Sequence, residues 1–98
     1  MTLLKVKVQY FAAIREIVNR REEILEVEEG TTVLDALRVL AKNHGDKFRD
    51  YVFDPLSGAT RPYLQFLVNE ESVSAMNGLS TILADNSTLA IIPPVGGG

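Results

Sequence analysis

The sequence predicts an α+β domain in which a mixed sheet of about four or five strands packs on one main helix. Three observations carry this expectation. Leu4, Val6, Val8 and Tyr10 alternate with Lys5, Lys7 and Gln9, the period of a half-buried strand. Behind Thr32, the residues Val33, Ala36, Leu37, Leu40 and Ala41 form one apolar stripe at helical spacing. Near the end, Thr88-Leu89-Ala90-Ile91-Ile92 is apolar on both faces, as a strand inside a sheet must be.

The remaining elements fall between these. Phe11, Ile14, Ile17 and Val18 have helical spacing and give a short helix, after which Leu25 and Val27 alternate with Glu26 and Glu28 up to the turn Glu29-Gly30. Thr32 is placed to cap the main helix, with Asp35 as its capping-box partner. Lys42 and His44 put positive charge in the last turn, and Gly45 is placed as a left-handed stop. Asp54-Pro55-Leu56-Ser57-Gly58 and Arg61-Pro62 mark a loop stretch, part of which packs on the domain through Phe48, Tyr51, Val52 and Phe53. Leu64, Phe66 and Val68 alternate with Tyr63, Gln65 and Leu67 in a further strand that ends at Asn69-Glu70-Glu71. Asn77-Gly78 and Asp85-Asn86-Ser87 are turn signals on either side of Leu79–Leu83, and Pro93-Pro94 must end the last strand because neither proline has an N–H for the ladder. The resulting order is strand, strand, long helix, strand, short strand, strand.

Ninety-eight residues with 46% hydrophobic content suffice for one small core. The expected organisation is a folded domain over residues 1–94 followed by a flexible tail over residues 95–98. No apolar run approaches the roughly 20 residues of a membrane-spanning helix, and Met1-Thr2-Leu3-Leu4-Lys5 does not read as a secretion signal. No membrane association is expected, and the expected address is the cytoplasm. There is no cysteine, which removes disulfides, thiolate metal sites and thiol nucleophiles. A net charge of −3 with scattered Lys and Arg leaves no footprint for nucleic acid.

Side chains offer little catalysis. His44, the one histidine, sits at a helix end and reads as a charge on the dipole or a surface residue. Glu22-Glu23 and Glu28-Glu29 read as solvated faces and turn edges. Gly96-Gly97-Gly98 is no phosphate-cradling loop, since no helix follows it. Glycine does let a backbone thread a narrow channel without side-chain collisions, and Pro93-Pro94 gives a semi-rigid stem that projects the glycines from the body. Such a tail suits being another enzyme's substrate. The carboxylate of Gly98 resists nucleophiles until adenylation neutralises it and supplies a leaving group, after which a sulfur nucleophile forms a thiocarboxylate. Sulfur carried in that way needs no cysteine on the carrier.

The element order resembles the β-grasp, or ubiquitin-like, fold, with the last strand lying centrally beside the first. Ile91-Ile92-Pro93-Pro94-Val95-Gly96-Gly97-Gly98 resembles the ending of the MoaD/ThiS-like sulfur-carrier family, which includes the small subunit of molybdopterin synthase; Gly96 takes the ending's variable position. Tyr10-Phe11-Ala12-Ala13-Ile14-Arg15-Glu16, Thr32-Val33-Leu34-Asp35-Ala36-Leu37 and Leu67-Val68-Asn69 match as well, so the resemblance spans essentially the whole chain. Two features depart from it. Asp85-Asn86-Ser87 stands where members commonly have Asp-Gly-Asp, and residues 46–62 are long for a minimal carrier.

The resemblance implies a carrier with no catalytic side chains and no bound cofactor, whose covalent forms are a glycyl adenylate and a thiocarboxylate at Gly98. It implies two partners: an E1-like, ATP-dependent activating enzyme of the MoeB type, and a MoaE-like large synthase subunit where a pyranopterin gains its dithiolene sulfurs for a molybdenum or tungsten cofactor. Ile92, Pro93, Pro94 and Val95 are the expected docking patch at the root of the Gly96-Gly97-Gly98 tail. Three alternatives stand beside it: a ubiquitin-like modifier joined to proteins through Gly98, a thiamine-pathway sulfur carrier, and a binding domain with an inert tail. Thiamine-pathway carriers are shorter and usually lack the double proline.

Overall fold

The computed structural model describes residues 2–94. Its elements are β1 (Leu3–Tyr10), α1 (Ala12–Val18), β2 (Glu22–Glu28), α2 (Val33–His44), α3 (Asp46–Val52), β3 (Gln65–Val68), β4 (Glu71–Ser72) and β5 (Thr88–Ile92). The strands form one mixed sheet in the order β2-β1-β5-β3-β4. β1 runs parallel to β5, with Val8 opposite Leu89 and Tyr10 opposite Ile91. The β1–β2, β5–β3 and β3–β4 pairs are antiparallel. The doubly apolar last strand is therefore flanked on both sides, as its composition predicts.

Alternation sets the core face. Val6, Val8 and Tyr10 of β1, Leu25 and Val27 of β2, and Leu89 and Ile91 of β5 point to one side, where Leu37 and Leu40 of α2 meet them, all buried. α2 begins as predicted, because Asp35 N–H donates to Thr32 Oγ1 (3.1 Å) and the Thr32 N–H donates to the Asp35 carboxylate (3.4 Å). Asn86 has φ 64°, so asparagine supplies the left-handed turn before β5. No helix among the described residues is long and apolar enough to cross a membrane.

Three sequence expectations change. Beside the main helix and the expected short one, residues 46–52 form α3 and bury Phe48 and Val52, where the sequence suggested only a stretch packed on the domain. Gly45 is not a left-handed stop. Its φ of 92° with ψ −168° turns the chain directly from α2 into α3, and its N–H still donates to Ala41 O (3.0 Å). The short strand is Glu71–Ser72, whereas Leu79–Leu83 contributes part of a 3₁₀ turn (Gly78–Ser80) and one bridge, Thr32 to Ile82. The Asn69-Glu70 turn, both residues at positive φ (51° and 71°), reverses the chain at once into β4.

Candidate functional site

β5 delivers the chain to the expected working end. Ile92 is its last residue and lies opposite Gln65 of β3. Because side chains alternate, Leu89 and Ile91 point into the core while Ala90 and Ile92 face away from α2. Pro93 is buried and Pro94 exposed, so the pairing stops where the prolines begin. Ile92 is half-buried on the outer face. Val95, Gly96, Gly97 and Gly98 lie outside the described residues.

Leu67 extends the apolar surface around Ile92. It is half-buried and lies opposite Ala90, which is itself buried, so Leu67 and Ile92 are the partly exposed members of an apolar stripe on the outer sheet face. Sequence reasoning used Leu67 only to establish alternation. The signal was present, since an apolar residue stood on the face that alternation assigns to water.

Two segments matched by the family resemblance fasten the two ends of β5. Arg15 of α1 folds back to donate from Nε to the Tyr10 carbonyl (3.3 Å), with its guanidinium 5.9 Å from the Phe11 ring centre. This fastens the end of β1 beside Ile91. Asn69 makes two hydrogen bonds to the Thr88 backbone, accepting its N–H at the side-chain Oδ1 (3.0 Å) and donating its own N–H to Thr88 O (2.9 Å). It fixes the start of β5 as Arg15 fixes the end of β1.

The carboxylate and histidine readings require correction. Glu22 is solvated and lies near Lys7 (3.5 Å), but Glu23 points inward. Its Oε2 accepts from the Tyr10 hydroxyl (2.5 Å) and lies 2.6 Å from His44 Nε2. His44 is 14% exposed and packs on Phe48 with ring centres 5.6 Å apart, so it is a structural partner and not a free helix-end charge. Residues at the end of β1, the start of β2 and the end of α2 meet only in the tertiary fold, so local spacing held no signal for the cluster. Burial, then the hydrogen bond and charge of Glu23, hold the Tyr10 phenol well above its ordinary range, and Arg20 opposes this weakly. The hydroxyl stays protonated as a donor. The cluster ties three elements beneath the last β1–β5 pair. Among the described residues, no group of three or more His, Cys, Asp or Glu side chains is arranged to hold a metal ion.

A mixed sheet of this order, folded over one long helix with its final strand inside, is a β-grasp, ubiquitin-like domain. The chain belongs to the ThiS family, whose profile matches residues 8–98, a family of ubiquitin-like sulfur carriers. It is 34% identical over 98 residues to the molybdopterin synthase sulfur carrier subunit of Mycobacterium tuberculosis, covering 98% of this chain and all of that one. It is 28% identical over 95 residues to small archaeal modifier protein 3 of Haloferax volcanii, covering 97% of this chain and all of that protein. The crystal structure of SAMP1 from Haloferax volcanii superposes with a TM-score of 0.84 at 29% identity, covering 96% of this chain and 99% of that one. These relatives are, by name, a sulfur carrier subunit and small archaeal modifiers.

Proposed function

We propose that this chain is a sulfur carrier that serves as the small subunit of molybdopterin synthase, with the carboxylate of Gly98 as its working group. The observation that carries the reading is the placement of Ile92 and the two prolines. A central strand held from both sides ends on an outer-face isoleucine, and Pro93-Pro94 leads directly to Val95-Gly96-Gly97-Gly98. The folded body acts as a handle for the glycine segment, and residues 1–94 and 95–98 divide the two tasks.

In the first step a carboxylate oxygen of Gly98 attacks the α-phosphate of ATP, forming an acyl adenylate and releasing pyrophosphate. Sulfide then attacks the acyl carbon, and AMP leaves with the bonding electron pair. The thiocarboxylate sulfur then forms a C–S bond to the pyranopterin held by the large subunit as an oxygen leaving group departs with the bonding pair, and water cleaves the acyl–sulfur bond to return the Gly98 carboxylate. No side chain of the carrier enters these steps; nucleotide and metal chemistry belong to an E1-like, MoeB-type activating enzyme and a MoaE-like large subunit. Ile92, Pro93, Pro94 and Val95, with Leu67 and Ala90 beside them, are assigned to docking both partners. The cytoplasm, where such partners work, is the proposed location.

A second reading is favoured by the match along 97% of the chain to small archaeal modifier protein 3. Adenylation of Gly98 is common to sulfur transfer and to protein conjugation. Intact-mass measurement of protein taken from its native cell separates them: exchange of a terminal oxygen for sulfur supports the carrier, and attachment to other proteins supports the modifier. Deleting Gly98, or adding one residue after it, displaces the carboxylate by about 3.5 Å. Either change is expected to abolish thiocarboxylate formation with ATP, the activating enzyme and sulfide, while the melting temperature stays unchanged. Sulfur uptake equal to wild type in those variants refutes the assignment.

A further inference from the structure

Residues 53–60 form a small, firmly built projection. Phe53 and Thr60 make a bridge, Asp54 N–H donates to Ala59 O (2.8 Å), and Gly58 N–H donates to Asp54 O (2.7 Å). The Asp54 Oδ1 accepts the Leu56 N–H (2.8 Å), and Gly58 takes φ 77°. These bonds hold Leu56 away from the body, where it is 96% exposed. A leucine on a limp loop would mean little; one fixed outward has already lost much of the conformational freedom that binding would remove.

Beside this projection lies an open cavity of about 740 Å³ between α2, α3 and residues 53–58. Ala41, Phe53 and Pro55 supply its apolar lining. Its walls differ in charge. Arg38 and Lys42, one helical turn apart on α2, make no ion pair among the described residues. The facing wall carries Asp46, Asp50 and Asp54 against one lining cation, Arg49, which pairs with Asp46 (3.3 Å) and Asp50 (3.2 Å), while Arg61, outside the lining, donates to the Asp50 carbonyl (2.8 Å). One wall is thus net positive and the other net negative, with the cavity between them.

We propose that this groove is a self-association site, in which Leu56 of each copy seats on Ala41 and Phe53 of a second copy. A two-fold contact needs one patch that complements itself. Here knob and groove are neighbours, and rotating one copy sets its α2 cations against the other's aspartates. The contact is small, so the dimer is weak and dissociates as salt screens the charges. It uses no residue assigned to the Gly98 tail or the Ile92 patch.

The test is sedimentation of the full chain at low salt from about 10 μM to 1 mM, the range in which weak dimers dissociate, with concentration-dependent amide NMR shifts to map the contact. Expected are a rise toward dimer mass and shifts confined to residues 38–58. Leu56→Asp and Lys42→Glu should each weaken association by about tenfold or more, with the melting temperature and thiocarboxylate formation at Gly98 unchanged. A monomer throughout, a dimer indifferent to both substitutions, or shifts centred on Ile92 overturns the proposal. So does a monomer whose Leu56→Asp variant is charged more slowly by the activating enzyme, which would assign the groove to that partner. Loss of sulfur uptake in the Gly98 variants bears on the carrier reading alone, so the two proposals fail separately.

Discussion

The two faces of β5 present the same chemistry to different neighbours. Leu89 and Ile91 are fully buried on the α2 side of the sheet, while Ile92, equally apolar, is half-buried on the outer face near Leu67 and the small, buried Ala90. Apolar character alone therefore does not distinguish a residue that holds the fold from one that offers a surface. The side of the sheet does, and one residue of register separates the two roles.

The largest expected difference comes from truncating each face. Ile91→Ala removes atoms from a closed core and should cost about 2–5 kcal/mol of stability, read by chemical denaturation. Ile92→Asp should leave the denaturation midpoint close to wild type yet weaken binding to the activating enzyme or the large subunit by more than about 2 kcal/mol, read by calorimetry. If Ile92→Asp unfolds the chain as badly as Ile91→Ala, the two faces are not distinct and Ile92 belongs to the core.

The inner face also has a polar edge, which sharpens the contrast. Tyr10→Phe removes the hydroxyl that donates to Glu23 and should cost about 1–2 kcal/mol at neutral pH. The phenol's proton affinity is raised in the folded state, whereas in the unfolded chain it ionises near pH 10. Its contribution is therefore complete below about pH 10 and is lost as pH rises toward the folded value. Wild-type stability should fall more steeply above pH 10 than that of Tyr10→Phe; parallel curves would show that burial and the Glu23 contact together do not couple folding to the phenol proton. The smallest effect is expected far from both faces of β5. Thr32→Ala removes the α2 cap at about 1 kcal/mol, with no change in partner binding.

Much of this architecture was legible because it is written in short-range patterns. Period two identified β1 and β3, helical spacing with a Thr32-Asp35 box identified α2, and a doubly apolar run followed by two prolines identified β5 and its end. Each pattern works because backbone geometry fixes which neighbours along the chain share a face. For the candidate site, the composition of the end supplies only the proposal of Gly98, which lies outside the described residues.

Tertiary structure alone decided what depends on distance through space. That Glu23, His44 and Tyr10 share one hydrogen-bonded cluster, that Leu67 lies opposite Ala90, and that Leu56 stands beside a groove with oppositely charged walls follow from strand order and helix placement. Seven-residue α3 also owes its helix to packing: Phe48 and Val52 are buried in the domain, and a segment that short gains too few internal hydrogen bonds to be stable alone. Local chemistry determined most of the elements and where β5 stops; the closing of the sheet over α2 determined which side chains meet.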